Sequence, residues 1–352
     1  MLILYFFLAV FPLFSPLDAL TTIVSEQYEN QKFERLQTLH DGKSLQEERF
    51  WLFNVDWDDG KNRLVDPNKI AREYSLMKYG DPKATRRFAR MLAERFVKLA
   101  LTPGYFGPRG ITDWSRVKIG TLYWDLKLPA AYLSEEFFNQ VNGILFSKNL
   151  PPVTLVKFTR HYQQKLGFDY GATSDTRVRD AENSKQRYTW DKDLVKSDDH
   201  LIMIDDCIVT GGHEKTVRRD LFTLTEYGHF PKIGRVTWGY IAKVPVSIGS
   251  SKAEDALNTA FVKKVDNIIE ISDQYPNKIM PSLRMLKFIY RKSHNLYEFS
   301  HVMTRIAVSN TEAVAAFFHG GINSMFPVEE PSTRPIFEVL KRVIHTVGND
   351  FK

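Results

Sequence analysis

Residues 201–213 read LIMIDDCIVTGGH, and this stretch limits what the chain can become more than any other. Leu201 to Ile204 form an apolar run too short for a helix and ended by charge, which fits a strand buried in a parallel sheet. Two adjacent carboxylates, Asp205 and Asp206, follow where that strand ends. In an open α/β sheet, ligands bind outside the carboxyl ends of the strands. Thr210-Gly211-Gly212 then makes a turn whose backbone is open to close approach, because glycine carries no Cβ. His213 to Tyr227 reads as a helix, so the turn presents N–H groups and partial positive charge, which is what a phosphate requires. The expectation is one anion site beside a pair of carboxylates that take hydroxyls or a cation. Other phosphate-binding motifs fit poorly. Lys215-Thr216 lacks the preceding glycine and spacing of a Walker loop, and no G-x-G-x-x-G fingerprint occurs.

A hydrophobic strand, two acids, a short apolar link and Thr-Gly-Gly together resemble the hallmark of the type I phosphoribosyltransferases. The resemblance implies that Asp205 and Asp206 hold the ribose hydroxyls of phosphoribosyl pyrophosphate (PRPP), and that Val209, Thr210, Gly211, Gly212 and His213 hold its 5′-phosphate. It also implies Mg²⁺ near Asp205 and Asp206, with either acid a candidate general base. His213 is a departure, since the family has Thr or Ser there; an imidazole still donates to phosphate, but it is bulkier and titratable. Lys78-Tyr79-Gly80-Asp81, followed by a helix rich in Arg, Ala and Leu, resembles the amino-terminal part of the competence-type (ComF-like) branch.

Composition sets outer bounds. With 352 residues, 43% apolar and 26% charged, the chain has length for a sizeable core in one large or two modest domains. The net charge of +6 favours polyanionic partners, and a pyrophosphate serves as well as a nucleic acid. Cys207 is the single cysteine, which excludes an intramolecular disulfide and a thiolate metal cluster. It sits inside the motif, where a small packed residue is expected. No nucleic-acid motif is recognisable, and none of His294, His301, His319 and His345 shows metal-ligand spacing.

Residues 2–17 (LILYFFLAVFPLFSPL) are apolar and aromatic, but Pro12 and Pro16 argue against a spanning helix, and a basic region ahead of them is lacking. Three readings stay open: a signal or membrane anchor, a docking segment, or an upstream start. PRPP is an intracellular metabolite, so the motif points to the cytoplasm, with membrane association or secretion as the alternative.

In chain order, Ser25 to Arg49 reads as helix and loop, and Phe50 to Asp56 as a short strand. Asp66-Pro67 opens a helix carrying Ile70, Tyr74 and Met77. A second helix runs from Lys83 to about Leu101, with Phe88, Leu92, Phe96 and Leu99 at helical spacing. Val117 to Trp124 is a strand and Ala130 to Phe146 a helix. In the family, the loop between them touches pyrophosphate, which makes Lys127 the implied cation; the loop lacks the small residues usual there, and a structural lysine is the alternative. Pro151 to Phe158 is a strand leading to Arg160, Gln164 and a long polar stretch with Arg177 and Arg179. The resemblance implies a basic lid there that closes over pyrophosphate and excludes water; an ordinary charged surface loop is the alternative. Arg235 to Val244 is the strand after the motif helix, and Lys243 and Trp238 are candidates to touch the base.

The expected fold is therefore α/β, a type I phosphoribosyltransferase-like open parallel sheet flanked by helices, with a C-terminal helical extension. Residues 1–24 form the hydrophobic segment, 25–275 the sheet domain, and 276–352 the extension, expected to serve as a packing layer or homo-oligomer contact. The implied activity is transfer of the phosphoribosyl group to an unidentified base with release of pyrophosphate. Two alternatives are a PRPP- or nucleotide-sensing regulator without turnover, and a membrane-associated or secreted interaction protein.

Overall fold

The computed structural model describes residues 32–40, 43–58, 63–65, 71–122, 128–161, 187–189, 191–223, 233–244, 281, 283–309 and 334–349. Residues 2–17, Lys127, Gln164, Arg177 and Arg179 lie outside them.

The chain enters the sheet through an antiparallel hairpin, β1 (Phe33–His40) and β2 (Lys43–Asn54), with Phe33 opposite Phe50. This corrects the expectation of helix and loop across the described part of Ser25 to Arg49. Phe33, Leu36 and Leu39 recur at a spacing that mimics a helical stripe. Glu47 and Glu48 read as solvent residues, yet they are 1% and 0% exposed. Arg218 donates to Glu47 at 2.9 Å, and Arg235 donates to Glu48 at 2.6 Å. A buried carboxylate is tolerated only with such partners, and these lie in distant parts of the sequence.

A short ribbon follows, β3 (Asp56–Asp58) paired with β4 (Arg63–Val65). The order then runs α1 (Ala71–Tyr79), α2 (Pro82–Leu101), β5 (Val117–Leu122), α3 (Pro129–Ser147), β6 (Thr154–His161) and β7 (Arg187–Thr189). It continues with β8 (His200–Ile208), α4 (Gly212–Thr223), β9 (Arg235–Lys243), α5 (Leu283–Lys292), α6 (Leu296–Ser309) and α7 (Arg334–Asn349). Local chemistry explains several boundaries. Asp81 Oδ1 accepts from the Ala84 N–H at 2.8 Å, with Pro82 at the first helical position of α2. Pro129 likewise takes the first helical position of α3, there without a side-chain cap. β7 is a strand inside the polar stretch expected to be a loop throughout.

Among the described residues the main sheet has the order β1-β2-β9-β8-β5-β6-β7. β2, β9, β8, β5 and β6 run parallel, while β1 and β7 close the two edges antiparallel. From β5 the chain steps outward to β6, then returns to β8 on the other side of β5 and goes on to β9. The strand order reverses between β5 and β8, so the crevice at their carboxyl ends is the switch point of this α/β sheet. The sheet is mixed but mostly parallel and flanked by helices, as the sequence implied.

Alternation along the strands divides the core into two layers. On one face Ile202, Ile204, Ile119 and Phe50 pack with α2 and α3. On the other face Leu201, Met203, Val236, Trp238, Tyr240 and Trp51 pack with Val217 of α4 and with Met285, Phe288, Phe299, Met303 and Ile336 of α5, α6 and α7. The C-terminal helices thus cover a sheet face. Among the described residues, no helix is long and apolar enough to cross a membrane.

Large side chains directly opposite it on the two neighbouring strands, Phe50 on β2 and Ile204 on β8, fix Gly239 in β9. A Cβ there would lie 2.5 Å from Phe50 Cζ and 2.7 Å from Ile204 Cδ1, both buried. Gly239→Ala is expected to cost about 1–3 kcal/mol through overpacking, read as a lower urea midpoint with the slope unchanged. At the amino edge of the sheet, a polar knot joins β2, β8 and β9. Thr237 Oγ1 donates to Glu48 at 3.0 Å and lies 2.7 Å from His200 Nε2. Burial first, and then the neighbouring Arg235 charge, hold the His200 imidazole well below its ordinary range, so it is neutral.

Candidate functional site

Asp205 and Asp206 lie at the carboxyl end of β8, beside β5 at the switch point. Because successive side chains on a strand point to opposite faces, the two acids diverge. Asp206 turns toward α1, where the Tyr74 hydroxyl donates to Oδ2 at 2.9 Å and the Lys78 ammonium bonds the same oxygen. Asp205 turns toward α4, where His213 Nδ1 donates to its Oδ2 at 2.6 Å. The remaining oxygens accept locally: the Asp206 N–H donates to Asp205 Oδ1 at 2.9 Å, and the Cys207 N–H donates to Asp206 Oδ1 at 2.8 Å. Each oxygen of the pair therefore has a donor within the protein.

The turn follows directly. Gly211 adopts φ +70°, the left-handed region that disfavours any residue with a Cβ. A Cβ at that position would lie 3.0 Å from an Arg49 nitrogen and 3.2 Å from Glu214 Oε2. The exposed Thr210 accepts the Gly212 N–H on its own hydroxyl at 3.3 Å, and Gly212 begins α4. Val209 packs against the α2–α3 layer. His213, in the first turn of α4, ties the glycine turn to Asp205.

A charged cluster lies beneath the turn. Glu214 is 1% exposed; Arg49 Nε donates to its Oε1 at 2.7 Å, and the Tyr240 hydroxyl donates to the same oxygen. Burial first, and then the Glu214 carboxylate, push the Tyr240 hydroxyl well above its ordinary value, so it remains a donor. At Asp206 the balance is opposite. Burial works to raise its carboxyl, but the Lys78 charge and the hydrogen bonds from Lys78 and Tyr74 outweigh it and hold the group far below the ordinary carboxylate range.

Asp205, Asp206, Val209, Thr210, Gly211, Gly212 and His213 are thus brought to one sheet edge. Arg160 is in β6, opposite Tyr188 of β7, and its side chain is outside what is described. Lys127, Arg177 and Arg179 are in segments outside the described residues. Trp238 is buried and stacks on Tyr240 with ring centroids 6.5 Å apart. Lys243 lies over the Trp51 ring at 4.3 Å and bonds Glu34. Sequence reasoning missed Arg49, Glu214, Tyr74 and the reach of Lys78. Only Lys78 carried a signal, as part of the Lys-Tyr-Gly-Asp element. A mixed-charge crevice of about 270 Å³, lined by Arg116, Lys118, Thr154 and Asp199, opens at the amino edge, away from these groups.

The magnesium implied by the resemblance was expected at both acids. The donor set does not fit that arrangement: the carboxylates diverge, and Lys78 already stands on Asp206. Among the described residues, no group of three or more His, Cys, Asp or Glu side chains is placed to hold a metal.

An open, mostly parallel sheet with an acid pair and a glycine turn at its switch point defines a phosphoribosyltransferase-like protein. The family model described as PRTase ComF-like matches residues 48–330, and the chain belongs to that family. No curated protein matches it.

Proposed function

We propose that the protein binds PRPP at the carboxyl end of β8 and transfers its phosphoribosyl group to a nitrogenous base, releasing pyrophosphate. The observation that supports this reading is the His213–Asp205 contact, which brings the acid pair and the glycine turn together. The α4 amino terminus with Gly211 and Gly212 would take the 5′-phosphate, as helix amino termini do. Asp205 would accept a ribose hydroxyl once His213 turns to the phosphate. Displacement at C1 passes through a cation-like sugar, so the protein's part is to position the ribose and stabilise charge. Lys127, Arg160, Arg177 and Arg179 are the candidates to face the leaving pyrophosphate. This reading places the protein in the cytoplasm, where PRPP is found, and leaves the base to experiment.

Asp205→Asn is expected to weaken PRPP binding by about tenfold to a hundredfold, the range for losing a charged hydrogen-bond partner. Calorimetric titration measures this, and an unchanged affinity would sink the assignment of Asp205. Pyrophosphate release with a panel of purine and pyrimidine bases tests turnover. A second reading, a PRPP-sensing regulator without turnover, draws on the internal pairing of both acids. Tight PRPP binding with no pyrophosphate release from any base would favour it.

A further inference from the structure

The Lys-Tyr-Gly-Asp element has a physical role that the phosphate turn does not explain. Asp81 caps α2, and Gly80 returns its N–H to the Leu76 and Met77 carbonyls, so the end of α1 is fixed against the start of α2. Tyr74 and Lys78 are four residues apart on α1, hence on one face of it. Both reach Asp206 Oδ2. The ammonium is well sheltered: the Lys78 and Asp206 side chains are 11% and 10% exposed. Beneath the glycine turn, Arg49 stands on Glu214 in the same way, with side chains 16% and 1% exposed. Asp205 accepts from His213, a contact that gives way when His213 turns to the phosphate.

A bare acid pair repels an incoming polyphosphate and needs a divalent cation between the two. Here Asp206 and the neighbouring Glu214 already have a fixed protein cation against them, Lys78 and Arg49, in surroundings where charge is poorly screened. We infer that this site accepts its phosphorylated sugar without a divalent cation, with Lys78 supplying the countercharge at Asp206. The inference rests on the PRPP reading above. Lys78 is a positioning residue here, acting through Asp206.

The test is calorimetric titration of PRPP into the full chain, once with excess Mg²⁺ and once with EDTA. Wild-type affinity is expected to agree within about threefold between the two buffers, less than the tenfold that would mark a substantial cation contribution. Lys78→Met, which bares Asp206, is expected to lose at least about tenfold in EDTA and to recover with Mg²⁺. Lys78→Met/Asp206→Asn removes both charges and is expected to bind alike in the two buffers; it guards against failure of the single variant to fold. A loss of more than about tenfold by the wild type in EDTA overturns the inference while leaving the PRPP reading standing. So does a Mg²⁺ requirement in the double variant. Absence of PRPP binding in both buffers overturns the PRPP reading, and the inference with it.

Discussion

Lys78→Met is expected to destabilise the protein by about 3–5 kcal/mol, because it leaves Asp206 as an uncompensated charge in a buried place. The Tyr74 hydrogen bond alone does not neutralise that charge. Lys78→Met/Asp206→Asn is expected to recover most of the loss, since removing both members of a buried pair is far less costly than removing one. The pH dependence separates this explanation from lost packing. In the wild type the Asp206 carboxyl is depressed, so its contribution is present above the ordinary carboxylate range near pH 4 and lost as acid drives the pH down through the folded value. In Lys78→Met burial, the largest influence and one that raises a carboxyl, is opposed only by the hydrogen bonds at Tyr74 and Asp205. The folded state then binds more protons than the unfolded one, so the variant gains stability relative to the wild type as pH falls from neutrality toward 5. Urea midpoints at several pH values measure both slopes. Parallel slopes for the two proteins would show that the ion pair is not what Lys78 contributes.

Phe96→Ala is expected to cost a further independent 3–5 kcal/mol or so, by cavity formation at the centre of the α2–α3 layer. Phe96 is fully buried, and its ring lies 6.0 Å from Phe50, 5.8 Å from both Phe106 and Phe137, and 6.1 Å from Trp114. Those partners come from β2, α3, the loop after α2 and the turn before β5. One truncation therefore loosens several elements at once, and their rigid ring geometry limits collapse into the space. Urea unfolding followed by near-ultraviolet circular dichroism reads the effect. A loss below about 1 kcal/mol would mean that the neighbouring rings close the cavity.

What the sequence revealed, and what it concealed, follows one physical division. The strand through Leu201–Ile204 and the glycine turn were legible because their signals are local: an apolar run, two charges, a pair of glycines. Helix α2 was legible through the helical spacing of Phe88, Leu92, Phe96 and Leu99. The hairpin was not, because the charges that β2 buries are balanced by Arg218 and Arg235, and nothing near Glu47 or Glu48 in sequence announces a partner. The same holds at the site. That Asp205 and Asp206 point apart is implicit in a strand's period of two. Which groups receive them depends on α1 and α4 packing on opposite faces, a tertiary fact. Lys78 was noticed as part of an element and Glu214 was passed over, although an acid in the first turn of a helix is an ordinary placement.

The pairs Arg49–Glu214 and Arg218–Glu47 fasten α4 to β2 with charges that are mostly hidden from water. Mobile ions have little access to them. Raising the ionic strength should accordingly leave the helix and its glycine turn seated, so any dependence of ligand affinity on added salt would report the ligand's own charge and not a loosening of its receptor.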